Sequence, residues 1–113
     1  MLSPATLQLA LEFRRERDWE QFHTPQNLAI AISVEAGELL EQFQWMLRDD
    51  ASRSDEKQKA VAQEVADLAI LLSYLANDIG IDIDEVVRRK LELNASRYPV
   101  DKSRGNAAKY TEL

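Results

Sequence analysis

Four helix-start signals are spaced along this chain, and they constrain its fold more than any other feature. Ser3-Pro4 and Thr24-Pro25 each set a hydroxyl acceptor before a proline, whose missing N–H is harmless in a first helical turn. Ser52 or Ser54 stands ahead of a third start, and Asp82 with Glu85 three residues on has the form of a capping box. Apolar residues then recur at helical spacing. Leu7, Ala10, Leu11 and Phe13–Arg14 give a mixed, amphipathic face. Leu28, Ala31, Ile32, Leu39 and Phe43 make a second stripe, and Val61, Val65, Leu68, Leu71, Leu72 and Leu75 a third. The helices expected run from Pro4 to about Glu20, from Pro25 to about Leu47, from about Asp55 to Asp78, and from Asp82 to just before Pro99. Gly80 is placed to cap the third, and proline forces the residue ahead of it out of helical geometry. Arg48–Ser54 (RDDASRS) reads as a loop, and Val100–Leu113 as a polar, basic-leaning tail. No strand alternation, repeat or low-complexity segment interrupts this. The expected class is all-α, a four-helix bundle-like arrangement in a single domain over residues 1–113.

A chain of 113 residues, 45% hydrophobic and 30% charged, is long enough for one core. Its net charge of −6 disfavours polymeric nucleic acid and anionic membrane as partners. An anionic small molecule would need a local metal or basic cluster. With no cysteine, disulfides, thiol chemistry and cysteine-ligated zinc are out of reach. The opening residues lack a basic segment followed by a long apolar run, and no stretch approaches the ~20 apolar residues of a membrane span. A cytoplasmic location is expected.

Two acidic pairs carry the chemistry: Glu35 with Glu38, and Glu64 with Asp67. Residues three apart on a helix share a face, with Cβ atoms about 5–6 Å apart. No Lys or Arg lies between Arg17 and Arg48 or between Lys59 and Arg88, so neither pair has a basic partner on its own helix. Ile32 and Leu39 flank Glu35, and Val61 and Leu68 flank Glu64. A lone E-x-x-E ordinarily faces solvent. Two such pairs on consecutive long helices, set among apolar neighbours, point instead to a shared cleft. Like charges ~4 Å apart repel by about 4 kcal/mol at an effective dielectric near 20, so the group needs protons or a cation. Oxygen-only ligands select Mg²⁺ or Mn²⁺ over zinc.

Two further clusters admit an ordinary structural role beside a functional one. Trp19, Phe22 and His23 gather at the first helix junction, either as a hydrophobic plug or as a binding wall. Trp45 reads as core, or as a partner with Trp19 in sandwiching a base, a contact worth about 1–3 kcal/mol. Lys90, Asn94 and Tyr98 share one face of the fourth helix, with Arg97, Lys102, Arg104, Lys109 and Tyr110 nearby. That face is either solvated or a holder of phosphate oxygens.

The ordered set RDWEQFH, PxNL, EAGELLEQFQW, QEVADL, K-x-x-x-N-x-x-x-YP, SRG and KYTEL resembles the MazG-like all-α nucleoside triphosphate pyrophosphohydrolases, and within them the dCTP pyrophosphatase branch. The likeness runs from about residue 4 to 113. It implies that Glu35, Glu38, Glu64 and Asp67 hold Mg²⁺. It implies that Trp19, Glu20, Gln21, Phe22, His23, Asn27 and Trp45 line a nucleoside pocket, and that Lys90, Asn94 and Tyr98 meet the phosphate or sugar. It further implies a homotetramer, a dimer of dimers, with sites built partly from a neighbouring subunit. The activity implied is hydrolysis of dCTP, or a modified dCTP, to monophosphate and pyrophosphate, with Glu35 or Glu38 orienting the attacking water. Where the branch has a histidine on the first helix this chain has Ala10, and where it has a tyrosine one turn past the last acid this chain has Leu71. A broader dNTP, dUTP or phosphoribosyl substrate, or a non-enzymatic metal-stabilised helical module, are the alternatives.

Overall fold

The structure is a computed structural model and describes residues 1–45 and 54–113. Among these residues it is helical throughout, without a strand. Helix α1 spans Pro4–Glu16, α2 Pro25–Glu41, α3 Asp55–Ile79, α4 Ile83–Arg97 and α5 Val100–Ser103, with 3₁₀ turns at Glu20–Phe22 and Tyr110–Glu112. Contacts divide the chain into two compact units, Met1–Gly80 and Ile81–Leu113. No helix is long and apolar enough to cross a membrane among the described residues.

Local chemistry sets each helix start. The hydroxyls of Ser3, Thr24 and Ser54 accept from the amides of Thr6, Asn27 and Lys57 at 3.2, 3.1 and 3.2 Å. Asp82 does the same for the Glu85 amide at 3.1 Å. The Glu85 side chain reaches forward to Arg89, so the expected capping box is only half used. Gly80 ends α3 at φ 75°, the left-handed conformation that glycine adopts without a Cβ clash.

The differences from expectation have local causes too. Helix α1 stops four residues short of Glu20 because Asp18 turns left-handed, φ 54°, and the chain tightens into the 3₁₀ turn. Asp is one of the few residues that tolerate this geometry. Helix α2 ends at Glu41, not near Leu47, and passes into a turn over residues 42–45. The rest of that expected helical end, the Arg48–Ser54 loop except Ser54, and the alternative cap Ser52 lie outside the described residues. The tail is not featureless: one helical turn follows Pro99, and Tyr110–Glu112 closes another. The described residues thus hold the four expected α-helices and one further helical turn, Val100–Ser103.

In the first unit α2 packs on α3, and α1 on α3. Leu28, 1% exposed, is the fully buried centre of α2. Ala31, Ile32, Glu35, Glu38 and Leu39 continue its inward stripe, and Val61, Glu64, Leu68, Leu71 and Leu75 form that of α3, all half-buried. Glu35, Glu38 and Glu64 therefore belong to the packed stripes, while Asp67 is exposed. Lys57 sets the register by donating from Nζ to the Gln42 carbonyl at 2.7 Å, at the C-terminal end of α2 where a cation is favoured. Seven residues back along α2 is Glu35, and seven on along α3 is Glu64, the pairing an antiparallel seam requires.

Candidate functional site

That seam brings the acids together. Glu35, Glu64 and Asp67 each present a carboxylate oxygen, and the three oxygens lie within 4.8 Å of one another. Glu38 does not join this close set. It stands one turn along α2 and acts on Glu35 by hydrogen bond and charge. Glu35 Oε2 and Glu64 Oε2 are buried and unpartnered. A buried carboxylate oxygen without a partner loses its hydration with nothing in return. Glu35 responds by being pushed up to about 7: burial acts first, then hydrogen bonds that its protonated carboxyl donates to Glu64 and Glu38, then the charges of Glu38 and Asp67. An oxygen-only donor set with two orphaned, inward oxygens fits a hard divalent cation, which satisfies them and removes the repulsion. The cluster is a candidate acidic metal centre.

A second construction occupies the junction of α1 and α2. Trp19 opens the 3₁₀ turn, its amide donating to the Arg14 carbonyl at 3.1 Å and its ring meeting Phe13 edge-on at 5.7 Å. The Gln21 amide donates to the Asp18 carbonyl and carboxylate at 3.1 and 2.8 Å, which consumes it in shaping the turn. Glu20 sits 3.7 Å from Arg15, exposed. Asn27 donates to the Phe22 carbonyl at 3.0 Å, fastening the turn to the start of α2. Trp19 and Phe22 keep exposed ring surface. His23 is half-buried with its ring 5.5 Å from that of Tyr74, and Nδ1 is buried without a partner. Burial, then the nearby Arg14 cation, hold His23 below its ordinary value. These residues all lie at the α1–α2 junction.

Trp45 does not. It lies past the far end of α2, 91% exposed with φ 68°, and the 17 residues of that helix separate it from Trp19. At 1.5 Å per residue this is about 25 Å, so the two tryptophans are not paired within one chain. In the second unit Lys90, Asn94 and Tyr98 follow one face of α4, with the Asn94 carbonyl receiving the Tyr98 amide at 2.8 Å. Tyr98 packs edge-on against Tyr110 at 6.0 Å, and Arg97 lies 4.6 Å over the Tyr110 ring. The tail thereby folds back on the end of its own helix.

Sequence reasoning missed Asp78 and Tyr74, and treated Arg14 only as part of a mixed face. Arg14, 4% exposed, holds Asp78 through two 2.8 Å hydrogen bonds and lies 4.4 Å over the Tyr74 ring. The Tyr74 hydroxyl donates to the Ala10 carbonyl at 2.7 Å. The Arg14 guanidinium holds the Asp78 carboxyl below the usual carboxylate range, first through the hydrogen bonds. The available signal was an arginine on the apolar stripe of Leu7, Ala10 and Leu11, where packing alone would place another aliphatic residue.

A model of the MazG-like family matches residues 30–113. The chain belongs to the MazG-like family. As a MazG-like protein it is 44% identical over 108 residues to dCTP pyrophosphatase 1 of Bos taurus, and 41% identical over 108 residues to dCTP pyrophosphatase 1 of Homo sapiens. These matches cover 93% of this chain and 64% of each relative, so the chain spans just under two thirds of their length. Among solved structures, a pyrophosphatase from Archaeoglobus fulgidus shares the fold with a TM-score of 0.78 and 40% identity, over 84% of this chain and 90% of that one.

Proposed function

We propose that this MazG-like chain is a metal-dependent nucleoside triphosphate pyrophosphohydrolase that converts dCTP, or a modified dCTP, to the monophosphate and pyrophosphate, a step of nucleotide-pool sanitation in the cytoplasm. The observation that carries the reading is the seam cluster of Glu35, Glu64 and Asp67, with two orphaned buried oxygens. The likeness to dCTP pyrophosphatases and to an archaeal pyrophosphatase supports the substrate class and the bond broken.

Glu35, Glu38, Glu64 and Asp67 are the ligands proposed for Mg²⁺, with Mn²⁺ as a substitute. Bound there, the ion supplies neutralisation of charge on phosphate oxygens. The rest falls to the chain's own groups. Glu35 or Glu38, whichever is not fully spent on metal, orients or deprotonates the water. Trp19, with Glu20, Gln21, Phe22, His23 and Asn27, forms the wall for the nucleoside. Lys90, Asn94 and Tyr98 are assigned to the phosphate or sugar.

A homotetramer is part of the reading. Trp45 is too far from Trp19 to close a base sandwich in its own chain, and its exposure leaves it free to serve a second copy. Leu40, 70% exposed, and an open apolar groove of about 470 Å³ lined by Phe43, Val61, Val65 and Ala69 are surfaces that a second copy would cover. Sedimentation equilibrium is expected to give a tetramer; a monomer at micromolar concentration would contradict it.

Purified protein with Mg²⁺, offered the common NTPs and dNTPs, is expected to turn over dCTP best and to release monophosphate with pyrophosphate. Diphosphate with phosphate would place the attack at the wrong phosphorus. Preference for dUTP, for all dNTPs or for a phosphoribosyl substrate would move the assignment within the family. No turnover of any of these would leave a metal-stabilised helical module.

A further inference from the structure

We propose that Arg14, Tyr74 and Asp78 form a positioning clamp that sets the aromatic turn Trp19–His23 at a defined height along α3 above the acid cluster, and so determines how a nucleotide spans the two. This rests on the hydrolase reading above.

The turn is held at both ends by the same short stretch of α3. At its start, one residue works in two directions. The Arg14 carbonyl receives the Trp19 amide at 3.1 Å, while the Arg14 guanidinium grips Asp78 at 2.8 Å through both nitrogens. At its end, the His23 ring rests 5.5 Å from the Tyr74 ring that Arg14 also covers at 4.4 Å. The Tyr74 hydroxyl adds a third tie, to the Ala10 carbonyl one turn earlier on α1. A two-toothed guanidinium–carboxylate contact fixes the plane and the distance of its partners, which a lysine or an aliphatic residue does not.

The register relative to the acids follows from helix geometry. Asp67, Tyr74 and Asp78 are separated by seven and then four residues, so at 3.6 residues per turn they fall within about 40° on one face of α3. Tyr74 lies about 10 Å, and Asp78 about 16 Å, beyond Asp67 along the axis. The clamp thus anchors the aromatic wall on the helix face that also carries the metal-side acid.

Stability alone is a weak reason for such a pair. Arg14 is buried but the Asp78 side chain is 24% exposed, and a partly solvated ion pair contributes little net stability, whereas a directional pair specifies one arrangement. The Arg14 Nε is left buried without a partner, a further cost that packing for stability would avoid.

The test uses the full chain with Asp78→Ala, Arg14→Lys and Tyr74→Phe. For the first two, KM for dCTP is expected to rise about tenfold with kcat within about twofold, the pattern of lost substrate positioning. Mg²⁺ affinity, read by calorimetry, should hold, and Tyr74→Phe should shift KM in the same direction by less. In parallel, in a Trp45→Phe background that leaves Trp19 as the sole indole, Asp78→Ala is expected to red-shift the emission and raise acrylamide quenching at constant helical content. A lowered melting temperature with KM and Trp19 emission unchanged would overturn the clamp and leave a merely structural pair. Absence of turnover in the unmutated protein would refute the hydrolase reading instead, and the Trp19 emission would then still decide whether the clamp holds the turn.

Discussion

Asp67→Asn and Glu64→Gln are each expected to lower hydrolysis by at least about a thousandfold, about 4 kcal/mol of lost transition-state stabilisation, while the circular dichroism of α-helix stays at its original strength. Both changes keep side-chain volume and remove one ligand charge. Glu64 Oε2 is already buried without a partner, so an amide there inherits the cavity but not the affinity for a cation. A second consequence separates a functional cluster from a structural one. Without metal, three carboxylates whose oxygens lie within 4.8 Å repel one another, and Glu64→Gln relieves part of that repulsion. The metal-free variant should therefore melt higher than the metal-free parent, and gain less on adding Mg²⁺. A cluster retained for stability would behave in the opposite way. Full activity in either variant would remove these residues from the site.

What could be read in advance follows the range of the interactions. Ser3, Thr24, Ser54 and Asp82 cap helices through contacts three residues long, and each is visible as a short motif. The acid pairs were equally visible, because their i, i+3 spacing places them on a face whose apolar neighbours must be packed. The closeness of Glu35, Glu64 and Asp67 needed the antiparallel seam, and Lys57 on the Gln42 carbonyl, which sets its register, carries no local signature. Arg14–Asp78 spans 64 residues, and nothing near either residue announces the other. The early end of α1 was hidden for another reason: Asp18 adopts a left-handed backbone that its composition permits without requiring. Trp19 and Trp45 looked alike in sequence, and only the length of α2 shows that one chain keeps them apart.

The stabilisation given by Mg²⁺ should grow steeply between about pH 6 and about pH 8, because metal and proton compete for the same carboxylates. Glu35 is pushed from an ordinary 4.5 up to about 7 in the folded chain, by burial first and then by Glu64 and Glu38. A carboxyl raised on folding contributes stability that is fully present below its unfolded value and is lost as pH rises through its folded value. The metal-free protein is therefore expected to lose stability from about pH 5 to about pH 7, where an exposed carboxylate would have no effect. Mg²⁺ reverses the trend by favouring the ionised form, and near pH 6.5 its binding should release protons, detected as a dependence of calorimetric heat on the buffer's ionisation enthalpy. His23 is held below its ordinary value by burial first and then by Arg14, and none of the seam acids is among the causes. Glu35→Gln separates the two: it should flatten the pH dependence of the Mg²⁺-induced melting shift while leaving His23 untouched. Equal melting shifts at about pH 6 and about pH 8 in the parent would show that the proton on Glu35 does not stand where the cation binds.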